Sequence, residues 1–148
     1  MEISLECANA YFANHLDFDY WNSITDNKKI AAINMAKNYI LRLPYIGQVL
    51  NAEQEMPFPR VYCARLITMP DDVIKAIFEE ALILIKLKDW EQDVVLPDGI
   101  QSMSLGSASI SFKDSSRKYE ISQKSQMFLE PWIKKGFDFS SSAFSEVY

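Results

Sequence analysis

The sequence predicts a mainly α-helical fold: a small helical bundle with a β-hairpin or ribbon inserted near residues 100–113 and an extended C-terminal arm. Three observations predict it. Apolar residues recur at three- and four-residue intervals in several separate stretches, the period of a helix with one buried face. After Asp98-Gly99 the pattern changes to short two-residue alternation, the period of a strand. The closing stretch, FDFSSSAFSEVY, sets aromatics among serines with no helical period, so alone it buries little.

The elements follow in order. Ser4 can cap a first helix reaching about His15, with Leu5, Ala8, Tyr11 and Phe12 on one face. Residues 17–23 carry Phe18, Tyr20 and Trp21, an aromatic turn suited to plugging a gap between helices. Thr25 or Asp26 caps the next helix, whose stripe is Ile30, Ile33, Ala36, Ile40 and Leu43, and Pro44 ends it. Residues 44–69 read as a long connection containing Gly47, Pro57 and Pro59; a loop of that length inside a domain is usually functional. Pro70 suits a first helical position, and Asp71 and Asp72 suit the positive end of the helix dipole. The helix predicted from Pro70 to about Lys88 has a narrow polar stripe of Lys75, Glu79 and Lys86. Its apolar arc is far wider than the roughly 100° that one-sided packing needs. Such a helix is either central to the fold or covered by a neighbouring subunit. In residues 100–112, Met103 and Leu105 share one parity and Ala108, Ile110 and Phe112 the other, with Gly106 at the switch as a bulge or bend requires. A last helix spans residues 123–135, kinked or split at Pro131. The organisation expected is therefore one domain over residues 1–135 and an arm over 136–148.

Charge and composition narrow the function classes. The net charge is −5, opposite to the balance of a dedicated nucleic-acid binder, whose affinity comes mostly from neutralising phosphates. Cys7 and Cys63 match no metal or redox spacing and read as small apolar residues in a reducing compartment. The N-terminus shows no export signal, and the most apolar run, residues 81–85, is far too short to span a bilayer, so synthesis in the cytoplasm is expected. The single histidine, His15, reads as a surface or capping residue. The acidic pairs Asp71/Asp72, Glu79/Glu80 and Glu53/Glu55 read as solvated or dipole-facing groups. No nucleophile motif, metal-ligand spacing or phosphate-cradling glycine loop is present, so no catalytic residue, cofactor or metal is expected. Within FPRVYCARL, Phe58, Arg60, Tyr62 and Arg65 interleave aromatics with arginines, as a stacking surface for single strands does; the plainer reading is an edge strand or loop. The wide apolar helix, the long loop and the aromatic tail together favour assembly with other copies.

The segments SLECANAYFANHLDFDYW, IAAINMAKNYI, FPR, MPDDVIKAIFEEALIL and IQSMSLGSASISF resemble, in this order, the small helical head–tail connectors (adaptors) of tailed bacteriophages. Some members of that group are labelled DnaT-like single-stranded-DNA-binding proteins, the alternative reading. The resemblance implies a non-enzymatic structural subunit of the virion. It would form a homo-oligomeric ring, commonly of about twelve, that docks beneath the portal protein and joins it to a stopper or tail-completion protein. DNA would pass through the channel without sequence-specific binding, and no membrane is involved. On this resemblance Trp132, Phe137, Phe139, Phe144 and Tyr148 would meet the portal, and Met103, Leu105, Ile110 and Phe112 a neighbouring subunit. Trp132 and Phe137 are then expected to be exposed in an isolated subunit. The alternative instead places nucleic acid on Phe58, Arg60, Tyr62 and Arg65. The tail FDFSSSAFSEVY departs from the family pattern.

Overall fold

The computed structural model describes residues 1–93, 102–105, 108–111 and 120–139, and about half of these are helical. Helix α1 (Leu5–Phe12) starts where the Ser4 hydroxyl accepts the Cys7 N–H, and α3 (Asp26–Ile40) where Thr25 accepts the Lys28 N–H. Between them α2 (Phe18–Asn22) buries Trp21 against Phe12, their rings stacked at 4.3 Å. The long helix α4 (Asp71–Asp93) lies centrally, packed against α1, α3 and α5 (Gln123–Leu129). Its Val73, Ile74, Ala76, Ile77, Phe78 and Ala81 are all buried within the single chain. The wide apolar arc is thus used by the fold itself, and it does not call for a neighbouring subunit.

The stripe on α3 differs from the expected one. Ile30 is exposed and Lys29 is buried instead, with Ala32, Ile33, Ala36 and Ile40. The reason is local chemistry. Lys29 Nζ lies 5.2 Å from the Trp21 ring and 3.3 Å from Asn9 Oδ1, so its charge is met by a ring face and an amide oxygen.

The long connection after Pro44 is a correction to the sequence reading, because it folds as a three-stranded antiparallel sheet. Its strands, β1 (Gln48–Val49), β2 (Arg60–Tyr62) and β3 (Arg65–Ile67), stand in the order β1-β2-β3. The fold is therefore helical with a small sheet, rather than helices and a late hairpin alone. The late ribbon is present as β4 (Ser102–Leu105) paired with β5 (Ala108–Ser111), placing Met103 opposite Ile110 and Leu105 opposite Ala108. Gly106, Phe112, Phe144 and Tyr148 lie outside the described residues.

At the C-terminal end, α5 stops at Leu129, short of the expected residue 135, and a 3-10 turn containing Pro131 (Glu130–Trp132) follows. The following residues run back along the start of the sheet region. Tyr45 bridges Ile133, Trp132 O accepts the Ile46 N–H, and Pro44 O accepts the Lys134 N–H. Trp132 is half-buried and donates to Asp72 Oδ2 at 3.1 Å; Phe137 and Phe139 meet edge-on and pack against the core. Trp132 and Phe137, expected to be exposed in a single subunit, are thus partly covered by the chain's own body. No helix among the described residues is long and apolar enough to cross a membrane.

Candidate nucleic-acid interface

The four residues of the Arg/aromatic patch fall into two pairs. Phe58 is buried at 4% exposure, its ring edge-on to Tyr45 at 4.9 Å. Arg60 turns inward. Its Nε donates to Ile46 O, its Nη1 to Pro57 O, and its Nη2 to Tyr45 O and Gly47 O, at 2.7–3.2 Å. One planar guanidinium thereby ties together the carbonyls of residues 45–47 and of Pro57. Both residues are structural, which removes them from the proposed contact set.

Tyr62 and Arg65 behave differently. Arg60 faces Ile67, Val61 faces Leu66 and Tyr62 faces Arg65 across the two strands. Tyr62 and Arg65 are therefore directly opposed on one face, next to the hairpin tip, and both are exposed. Arg65 has no acidic partner among the described residues. On the opposite parity Val61 and Leu66 form an exposed apolar pair, and Val49 and Leu50 at the end of β1 are exposed too.

The tip is made by Cys63 and Ala64, with φ of 51° and 62°. A two-residue turn with both φ positive matches the twist of the flanking strands, but side chains other than Gly or Asn occupy that region at a cost. Cys63, read as a small apolar residue, is exposed here. Gly47 is fixed by space as well as by its φ of 74°, since a Cβ there would lie 2.3 Å from Val61 O.

A second polar constellation escaped the sequence reading entirely. Glu79, expected on a solvated stripe, and Glu80 are 2% and 0% exposed. Glu79 Oε1 accepts from Tyr11 Oη at 2.6 Å and lies 2.8 Å from His15 Nε2, while Lys124 Nζ stands 3.3 Å from Oε2. The Asp17 N–H donates to His15 Nδ1, which turns Nε2 toward Glu79 and Lys124. His15 is thus a bridge between α1 and α4 and no surface residue. Burial, the bond to Glu79 and that residue's charge all push the Tyr11 phenol upward.

Glu80 Oε2 lies 2.7 Å from Ser125 Oγ and 2.9 Å from Ser122 Oγ, with the Ser122 N–H at 3.3 Å. Burial pushes the Glu80 carboxyl up to about 6, although the serine hydrogen bonds pull the other way. Every buried side-chain nitrogen and oxygen among the described residues has a partner. The cluster therefore joins α1 and α5 to α4. Sequence spacing carried no signal for it, because the partners of Glu79 and Glu80 come from distant segments. Among the described residues no group of His, Cys, Asp and Glu is arranged to hold a metal ion.

Neither the curated proteins nor the solved structures yield a match to this chain. One protein family does match, over residues 3–144, and it is described as "Putative DnaT-like ssDNA binding protein". With nearly the whole chain covered, the protein belongs to this DnaT-like family.

Proposed function

We propose that the protein binds single-stranded DNA through the exposed face of the β2–β3 hairpin, with Tyr62 as a stacking ring and Arg65 as a phosphate ligand. The observation that carries this reading is the cross-strand Tyr62–Arg65 pair, exposed and without an acidic neighbour among the described residues. The family match supports it. A ring beside a guanidinium is the minimal unit of sequence-tolerant single-strand binding, and one stacked base is worth about 1–3 kcal/mol. With net charge −5 and Arg65 as the phosphate ligand, binding is weak and its salt dependence shallow, about 0.7 in log K per log salt for each phosphate neutralised.

The test is an anisotropy titration of a labelled oligo(dT) at several salt concentrations. Arg65→Glu abolishes binding and Tyr62→Ala weakens it by about tenfold or more. Unchanged affinity in Arg65→Glu ends the proposal. Arg60→Ala is unsuitable for this purpose, because it dismantles the sheet.

A second reading, a ring-forming head–tail connector subunit, draws on the exposed apolar residues Val49, Leu50, Val61 and Leu66. A monomer leaves them in water, whereas an interface covers them. On that reading native mass shows a discrete ring, alone or with portal protein, and Leu66→Glu prevents it. A monomer under both conditions rejects it.

A further inference from the structure

We propose that the free edge of β3, with the groove beside it, docks an extended protein segment that carries a basic side chain. Strand β3 is the last in the order β1-β2-β3, so one side of it has no strand neighbour. The two-residue turn at Cys63-Ala64 makes Tyr62–Arg65 and Arg60–Ile67 the hydrogen-bonded pairs. By the same alternation the N–H and C=O of Leu66 point away from β2, toward the open side, and they have no described partner. An edge presented in this way is a template for an added strand.

A shallow groove of about 530 Å³ runs along this edge to the start of α4. Leu66, Ile67, Met69 and Trp132 give it apolar walls, and Asp71 and Asp72 supply the charge. Leu66 is 60% exposed, and the Asp71 side chain is 63% exposed. The N-terminal amine stands 3.9 Å from Asp71, a loose surface contact that a lysine or arginine side chain can replace. Asp72 is held in place by the Trp132 indole. Charge complementarity decides the occupant. Two carboxylates repel a phosphate backbone, so nucleic acid does not fit here, whereas a cationic side chain beside an apolar one does. The added strand pairs with Leu66, seats an apolar side chain against Trp132 and Met69, and brings a lysine or arginine to Asp71. This surface is separate from the Tyr62–Arg65 face and stands whether or not that face binds DNA.

The test follows backbone and indole N–H resonances of the 15N-labelled full chain. The probe is a short capped peptide alternating Val with Lys, and the comparison is a peptide alternating Val with Glu. The expected result is saturable shifts at residues 65–72 and at the Trp132 indole. The Lys peptide binds about tenfold or more tightly than the Glu peptide. Asp71→Lys reverses that preference. Leu66→Pro removes the outward N–H at an edge position that tolerates proline, and it abolishes binding while Leu66→Val keeps it. Equal affinity for the two peptides overturns the proposal. Peptide binding unchanged in Leu66→Pro also overturns it, as do the same shifts produced by raising protein concentration alone or by oligo(dT). If Leu66→Pro fails to fold, Asp71→Lys decides by itself.

Discussion

The helical body and the small sheet solve opposite problems with the same kinds of residue. In the body, Glu79 and Glu80 are charged groups on a central helix, and each is met from another element: Tyr11, His15 and Lys124 for the first, Ser122 and Ser125 for the second. In the sheet, a single inward arginine, Arg60, satisfies four carbonyls, while Val61, Tyr62, Arg65 and Leu66 are exposed. The sheet holds exposed apolar, aromatic and cationic side chains together with an unpaired strand edge. The binding face proposed above therefore lies on the sheet, which the helical body holds in place.

The sharpest way to break this contrast is Arg60→Ala. Four carbonyls lose their donor, and those that water does not reach remain unsatisfied, so the loss is about 2–4 kcal/mol. Hydrogen exchange should show lost protection in β1 and β2, while the amides of α3 and α4 keep theirs at the lower global stability. Equal loss throughout would mean that the sheet and the body are one cooperative unit.

Glu80→Gln examines the body. The folded-state value of about 6 lies above the ordinary 4.5, so the folded chain retains a proton that the unfolded chain releases. Stability from this group is full below pH 4.5 and falls as pH rises to about 6; the gap corresponds to about 2 kcal/mol. Glutamine cannot ionise and still accepts from both serines. Thermal unfolding should therefore show the variant matching the native chain below pH 4.5 and exceeding it at pH 7. Asp89, held low by hydrogen bonds from Lys28 and Tyr20, acts in the opposite direction and only at acid pH, and it cancels in the comparison. Parallel pH curves for the two proteins would refute the buried-charge account.

The smallest effect is at the hairpin tip. Cys63→Asn with Ala64→Gly relieves two side chains held at positive φ and should stabilise the hairpin by about 1 kcal/mol. Unfolding in denaturant measures it, and no gain would mean that the strands alone set the turn.

Helix positions were legible because their signals are local. Ser4 and Thr25 cap where the sequence indicates, Pro44 and Pro70 bound the region between helices, and Pro131 sits in the 3-10 turn that ends the last one short of residue 135. The sheet was not legible. Strands of two and three residues are too short to show alternation, and the residue organising them, Arg60, works through backbone carbonyls, which every residue has. The same arginine misled the site reading, since Arg60 and Arg65 look alike in FPRVYCARL and differ only in what the chain places around them. Burial of Glu79 and Glu80 was hidden for a related reason: amphipathic projection assigns charge to water unless a partner from a distant segment is known.

The Ser122 hydroxyl has two tasks, accepting the Ser125 N–H at the start of α5 and reaching Glu80 on α4. A seven-residue helix does not persist alone in water. Initiation of α5 and its attachment to the body are therefore one event, and the segment is either fully seated or fully released. Residues 132–134 continue from it into backbone bonds with Pro44 and Ile46 at the root of the sheet. Tension on the chain beyond residue 139 would accordingly meet the Phe139 and Phe137 contacts with the core first, and once those yield it would pass through residues 132–134 to the base of β1.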